Sequence, residues 1–212
     1  MAWLLAPIYD RFMRVSEEAC LGRWRAELLK DLSGNVLEIG SGTGATLPHY
    51  PKTVTRLVLS EPDPNMRRQL QKKLAASEGS RAEVSDASIA ALPFEPASFD
   101  AVVCSLVLCS VPEQKAALAE IARVLKPGGR LVFMEHVAAD GKPGRLKWQR
   151  RIEPLWKRCM GNCHLTRRTE AAILAAGFEF ERIERESIRK ALPIVRPSIR
   201  GVARKAGGSR AV

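Results

Sequence analysis

Two acids and a glycine-rich turn are the first residues in this chain whose types and spacing could do chemistry. Residues 36–44 read VLEIGSGTG, which sets Glu38 inside an apolar run and Gly40, Gly42 and Gly44 at alternate positions around Ser41 and Thr43. A second acid, Glu61, follows the run LVLS 23 residues after Glu38, with Pro62 next to it. A turn without side chains lets a ligand reach the backbone closely. A carboxylate at the end of the following strand accepts the two hydroxyls of a ribose. The spacing G-S-G-T-G lacks the closing step of the dinucleotide fingerprint. Glu38 beside the turn would repel a diphosphate and suits a cationic or zwitterionic ligand.

That charge pattern favours S-adenosylmethionine, which carries a sulfonium, an ammonium and two ribose hydroxyls but no phosphate, over a nucleotide phosphate. Other reactive side chains follow. His136 lies just past an apolar run, His164 follows Cys163, and His49 sits after Pro48 in a turn. Histidine titrates near neutral pH and is the usual general base. His136 is the first candidate and His164 the second, each with a loop-anchoring role as the alternative; His49 reads as structural or exposed. Five cysteines, at 20, 104, 109, 159 and 163, are an odd number, and two of them fall in an apolar run and its exit. This pattern suits reduced thiols in a cytoplasmic protein. Cys159 and Cys163 flank MGN ahead of His164, but a zinc site wants four ligands and no second cluster lies nearby in sequence, so the expectation is loop and core thiols and no metal.

These groups need elements to position them. The walk begins with an amphipathic helix over 3–15, with Leu4, Ile8, Phe12 and Val15 at helical spacing, and a second helix over 17–32. Strands follow at 35–40, 55–60, 81–86, 99–106 and 130–137. Between them come a helix after the glycine turn that stops near Pro48 and Pro51, a helix over 64–77 and a helix from Pro112 to Leu125. Residues 141–163 form a basic insertion bearing Trp148 and Trp156. Thr166 reads as the N-cap of a helix that runs to Ala176 and closes at Gly177. FEFERIERE (178–186) and PSIRGVARK (197–205) read as antiparallel edge strands, and AGGSRAV (206–212) as a frayed end. Strand–helix alternation implies an α/β, doubly wound, Rossmann-like fold whose mostly parallel, seven-stranded sheet carries an antiparallel edge. Ligands of such sheets bind beyond the carboxyl ends of the strands.

Length and charge set the frame. A chain of 212 residues suits one domain over 1–212: a helical lid (1–32), a cofactor core (33–137), the insertion (138–164) and a C-terminal helix with edge strands (165–212). The longest nearly apolar run, AVVCSLVLCSV (101–111), is too short to cross a bilayer as a helix, which takes about 20 residues. MAWLLAPIYDRF does not read as a signal peptide. The net charge of +11 is uneven: residues 1–140 hold 16 Lys+Arg against 17 Asp+Glu, and residues 141–212 hold 18 against 6. A basic last third attracts an anionic membrane face, nucleic acid or an acidic substrate, or is a solvated surface. Recognition signatures of nucleic-acid binders are missing, which counts against that partner.

Five segments together resemble the successive motifs of class I S-adenosylmethionine-dependent methyltransferases: VLEIGSGTG, Glu61, SDAS (85–88), LPFEPASFDAVVCSLVLCSV (92–111) and LKPGGRLVFMEHV (125–137). VCSLVLCSV, FMEHVAA, GNCHLTRRT and VRPSIRGVA are further similar to the branch that includes thiol S-methyltransferases. The resemblance implies S-adenosylmethionine as cofactor and S-adenosylhomocysteine as product. It places Glu38, Gly40 and Gly44 around the amino-acid part, with Ser41 and Gly42 between them; Glu61 and Pro62 at the ribose; Asp86 and Ala87 near the adenine; and Ser105 or Leu106 against the cofactor. It also implies a small acceptor, with a hydrophobic thiol as best reading. A lipid or quinone at a membrane face, or less readily an RNA, is the alternative. Tyr9, Phe12, Trp148 and Trp156 would wall the acceptor pocket, or simply pack on the sheet. A cytoplasmic monomer, with peripheral contact to an anionic membrane as the variant, completes the expectation.

Overall fold

The computed structural model describes residues 6–77 and 82–205, with side chains from Asp10 onward. The expected details at Leu4, at the side chains of Ile8 and Tyr9, at Arg81 and at 206–212 lie outside these residues.

Among the described residues there is one seven-stranded sheet. Its strands are β1 (Gly34–Ile39), β2 (Val54–Ser60), β3 (Glu83–Ser85), β4 (Phe99–Ser105), β5 (Leu125–His136), β6 (Phe178–Ser187) and β7 (Pro197–Lys205). Their order is β3-β2-β1-β4-β5-β7-β6. β1 to β5 are parallel, while β7 runs antiparallel to β5 and β6 antiparallel to β7. The order reverses between β1 and β4, so the crevice for a ligand opens where those two strands end.

Parallel strands buried on both faces read as continuous apolar runs. Ala101–Cys104 in β4 and Leu131–Met134 in β5 are accordingly buried throughout. Alternate residues then point to opposite layers. Leu37, Val102, Leu131 and Phe133 join a cluster with Ala117, Leu118 and Ile121 of α4 (Gln114–Val124) and Ile173 of α6 (Thr169–Ala175). Val36, Val103, Val132 and Met134 join the other, with Trp24, Leu28 and Leu29 of α2 (Gly22–Leu29) and Leu70 of α3 (Pro64–Ala75). α1 (Ala6–Ser16) precedes α2 and is joined to it by a π-helical turn, Glu17–Leu21. α5 (Pro143–Cys159) follows β5.

α3 starts where its sequence says it must: Asp63 accepts from Asn65 N and Met66 N at 2.9 and 3.0 Å, and Pro64 fills the first helical position. Elsewhere the boundaries moved. The segment after the glycine turn forms no α-helix, only turns and a short 3-10 helix, Leu47–His49, because Pro48 and Pro51 deny it the donors a longer helix needs. Thr166 caps no helix. Its N–H and hydroxyl donate to Glu153 on α5 at 2.8 and 2.7 Å, and α6 begins at Thr169 behind Arg168. The basic insertion is α5, 17 residues long, with Pro154 inside it. β7 is covered on its far side by β6, so only β6 is an edge there. The buried Arg200 of β7 bonds Glu27, Glu184 and Glu186 and lies over the Trp24 ring, tying these last strands to α2.

Candidate active site

The crevice is built from strand ends. β1 delivers the glycine turn, and its glycines are needed for two different reasons. Gly40 has φ 63° and a Cβ there would sit 2.2 Å from Val107 Cγ2; Gly44, at φ 83°, would strike Leu70 at 2.8 Å. Gly42 has φ 56° but faces open space within 4 Å. Gly40 and Gly44 therefore serve close packing, while Gly42 clears the crevice. Glu61 at the end of β2 accepts from Gly42 N and Asp63 N, both at 2.8 Å, so it holds the turn while lining the crevice. Burial pushes its carboxyl above the ordinary value, against those two N–H donors. Glu38 is buried, accepts from Thr46 Oγ1, and accepts from Tyr50 Oη at 2.9 Å. Burial raises it to about 7, with Thr46, Tyr50 and Arg25 pulling the other way.

Two compartments of the crevice meet at the glycines. One, about 550 Å³, is lined by Glu38, Gly40, Ser41, Gly42, Thr46 and Ser105 beneath α1 and α2. The other, about 340 Å³, is lined by Gly40, Glu61, Pro62, Ala87, Leu106 and Val107. Asp86 is exposed and outside this lining, although Ala87 belongs to it. Asp10 of α1 accepts from Thr43 Oγ1 at 2.5 Å and pairs with Lys73 at 2.6 Å, which fastens α1 over the glycine turn. Ser105 Oγ accepts from Arg25 at 2.6 Å, and Arg25 also bonds Glu17.

A third, apolar cavity of about 250 Å³ adjoins the crevice. Phe12, Met13, Leu106, Trp156, Met160 and Ile188 contribute walls, and Cys109, His136 and Cys163 also line it. Leu106 borders both this cavity and the Glu61 compartment. Its φ of 59° is uncommon for a residue with a side chain. Two contacts hold it: Leu106 N donates to Met134 O at 2.7 Å, and Glu135 accepts from Val107 N, Leu108 N and Cys109 N at 2.9, 2.9 and 3.3 Å. Glu135 thus works as an anchor for the turn after β4. Burial raises it to about 7, against those backbone donors.

His136 Nε2 lies 2.9 Å from Cys163 Sγ, and Cys163 Sγ lies 3.9 Å from Cys109 Sγ. Cys163 is held far below an ordinary thiol, at about 4, by the Cys109 thiol and then, beyond the opposing effect of burial, by His136. Cys109 is raised correspondingly, first by its bond to Cys163 and then by burial. Burial alone would lower His136, but the bond and charge of Cys163, followed by Glu135, lift it above its usual value.

Of the residues expected to wall an acceptor pocket, Phe12 and Trp156 line this cavity. Trp148 does not: it is 59% exposed. Gln149, Glu153 and Trp156 share one helical face, at steps of four and three, which Trp148 does not share. Buried Gln149 fixes that face inward, accepting from Ala139 N at 2.8 Å and donating to Val137 O and Ile194 O at 3.1 and 2.8 Å. His164 stays outside the cavity lining, with its ring 3.7 Å from Glu153, and its backbone N–H donates to Cys109 O at 2.9 Å. His49 lines the Glu38 compartment, partly buried. Cys109 and Cys163 were not singled out as site residues from sequence. The signal was that each adjoins a strand-end or histidine motif, but nothing in the chain order said that they meet.

Comparison with known proteins gives this geometry a context. Residues 37–133 match the methyltransferase domain family. Thiol S-methyltransferase TMT1A of Homo sapiens is 37% identical over 173 residues, 81% of this chain and 70% of that protein. Thiol S-methyltransferase TMT1B of Homo sapiens is 38% identical over 191 residues, 86% of this chain and 75% of that one. Among solved structures, a SAM-dependent methyltransferase from Thermotoga maritima superposes with a TM-score of 0.68 at 20% identity, covering 96% of this chain and 97% of its own, which supports the fold alone. With the glycine turn, the strand-end acids and these relatives in agreement, the chain belongs to the class I S-adenosylmethionine-dependent methyltransferases, in the branch that contains the thiol S-methyltransferases.

Proposed function

We propose that this enzyme transfers the methyl group of S-adenosylmethionine to the thiol of a small, largely apolar molecule held in the 250 Å³ cavity. The observation that carries this reading is that Leu106, with Ser110 and Met160, lines both the cavity and the Glu61 compartment, so that an acceptor and a cofactor would meet across these residues. The residues of the crevice fit the cofactor. Glu38 and Glu61 supply carboxylates and Gly42 leaves open space, a combination suited to an ammonium, a sulfonium and ribose hydroxyls. When bound, the cofactor supplies an electrophilic methyl group.

The protein's own contributions then divide. Glu61 binds ribose hydroxyls with the lone pairs left over after its two backbone bonds. Glu38 presents its carboxylate to the ammonium end. Ser41 and Gly42 shape the turn between them, and Ala87 and Leu106 give the adenosine end an apolar wall. Phe12, Met13, Trp156 and Ile188 exclude water from the acceptor and orient its apolar part. A free thiol is only a few per cent thiolate at pH 7, so the site must favour the ionised sulfur. At the end of the cavity the protein already stabilises one thiolate, that of Cys163, beside His136. His136, which lines the same cavity, would take the incoming thiol's proton when its ring is neutral.

The test offers labelled S-adenosylmethionine with a panel of thiols, amines, phenols and lipids to the purified protein. Label on apolar thiols is the expected result, and label confined to amines or lipids would contradict the reading.

A further inference from the structure

Three soft ligands converge at the wall of the acceptor cavity. Cys109 follows β4, His136 ends β5 and Cys163 lies in the turn after α5. All three are buried, and their ligand atoms lie within 4.8 Å of one another. All three also line the cavity. We propose that Cys109, His136 and Cys163 form a three-ligand site for a soft divalent cation of the zinc class, whose fourth position faces the cavity and captures the acceptor thiol as a thiolate.

The donor set points to this class of ion. Thiolate and imidazole select zinc and similar metals, whereas magnesium and calcium require oxygen ligands. Two Cys and one His with one position left for substrate is an established arrangement for catalytic zinc. Bonds of about 2.3 Å to sulfur and about 2.0 Å to nitrogen make tetrahedral edges of about 3.8 Å between sulfurs and about 3.5 Å between sulfur and nitrogen. The Cys109–Cys163 separation is 3.9 Å, already an edge of that size. The His136–Cys163 separation is 2.9 Å, a hydrogen bond that an ion would replace once the ring moved by roughly half an ångström.

The two cysteines are held from behind, as metal ligands generally are, while Nδ1 of His136 is buried without a hydrogen-bond partner. Glu135 fixes the amide of Cys109 at 3.3 Å, and His164 N bonds Cys109 O at 2.9 Å. Asn162 Nδ2 bonds Ser110 O at 2.9 Å, so the segment bearing Cys163 is tied directly to the segment bearing Cys109. Charge balances as well: two thiolates cancel a divalent ion, leaving a neutral complex that an apolar cavity tolerates.

The chemistry follows from the open position. The acceptor's S–H bond breaks as its sulfur bonds the ion, and the proton leaves to solvent. His136 then serves as a ligand and stores no proton. Methylation turns the bound sulfur into a neutral thioether, the metal–sulfur bond breaks, and the position opens again. This rests on the thiol reading for the acceptor but not for the ion.

The test uses reduced, chelator-stripped protein titrated with Co²⁺, then with Zn²⁺ in competition. One equivalent of Co²⁺ should produce thiolate-to-cobalt absorption in the near ultraviolet and tetrahedral bands in the visible, and an apolar thiol should shift those visible bands. C163S and C109S should weaken Zn²⁺ binding by at least about 100-fold, whereas C159S, at an exposed cysteine outside the cluster, should bind as the parent chain does. Parent protein that shows no thiolate–cobalt absorption overturns the site whatever the variants do. Thiol methylation at full rate by metal-free protein overturns the capture step while leaving the thiol reading intact. Cobalt bands with no thiol accepting label overturn the capture step together with that reading, while the ion site stands.

Discussion

The β1–β2 side and the β4–β5 side of the same crevice are built from opposite materials. On the first, buried carboxylates stand next to backbone: Glu61 accepts from Gly42 and Asp63, and Glu38 from Thr46 and Tyr50. On the second, sulfur and imidazole stand next to apolar side chains: Cys109, His136 and Cys163 beside Leu106, Trp156 and Ile188. In the proposed reading, hard anions would hold a cofactor that arrives with its charge fixed, and soft donors would prepare an acceptor whose charge has to be created in place. The division also separates what each side tolerates, because the carboxylate side depends on a backbone shape and the sulfur side on where a helix and two loops dock.

The comparison breaks most easily at Glu61. Glu61→Ala removes two charge-assisted backbone bonds as well as the ribose ligand, and hydrogen bonds to charged groups contribute about 1.5–3 kcal/mol each. Calorimetry should show cofactor affinity reduced by about 100-fold or more, with acceptor selectivity unchanged. Unaltered cofactor binding would remove Glu61 from the ribose.

Two glycines of one turn separate packing from access. Gly40→Ala would place a methyl group 2.2 Å from Val107, on the β4 loop that carries Leu106, and should lower stability by about 3 kcal/mol, read as a fall in Tm. Gly42→Ala meets nothing within 4 Å. It should cost about 1 kcal/mol of stability from its positive φ yet weaken the cofactor more than Gly40→Ala does in the fraction that remains folded. Equal effects on both properties would erase the distinction.

The carboxylate side should also carry a pH signature. Glu38 is raised from an ordinary 4.5 to about 7 by burial, so the free protein favours its neutral form. The stability this contributes is full below about pH 4.5 and is lost as pH rises through about 7, at most roughly 3 kcal/mol in all. Cofactor binding should run the other way, strengthening across the same window as the carboxylate forms. Glu38→Gln should flatten both curves, measured by denaturant titration and calorimetry from pH 5 to 8.

Smaller effects sharpen the other side. Trp156→Ala should raise KM for an apolar thiol about tenfold, through lost contact area, while cofactor affinity stays unchanged. Trp148→Ala and His164→Ala, at positions outside the cavity, should change kcat/KM less than about twofold. A large effect of Trp148→Ala on the acceptor KM would mean that the wall is drawn on the wrong face of α5.

Much of the sheet could be read directly. The continuous apolar runs of β4 and β5 and Asp63–Pro64 opening α3 are local signals, and the structure follows them. The glycine turn was legible for the same reason: a positive φ at Gly40, Gly42 and Gly44 is a requirement on single residues. Where the reading slipped, a contact distant in sequence had taken over. Thr166 looks like a cap until Glu153 of α5 claims its N–H and hydroxyl. Trp148 and Trp156 look equivalent until Gln149 turns α5 so that only one faces the cavity. His164 looks comparable to His136 in the sequence, but its ring lies 3.7 Å from Glu153 and outside the cavity lining.

The sequence by itself determined the glycine-and-carboxylate side of the crevice. Glu38, three glycines and Glu61 lie in two short segments at the ends of adjacent parallel strands, so chain order nearly fixes their neighbourhood. Only the tertiary structure decided the sulfur-and-imidazole side. Cys109 and Cys163 are 54 residues apart and His136 is 27 from Cys163, and their meeting depends on Glu135 gathering the β4 turn and on Asn162 and His164 bonding the segment after Cys109. Backbone conformation is encoded within a few residues. A cluster drawn from one strand end and two separate loops exists only once packing has placed them together.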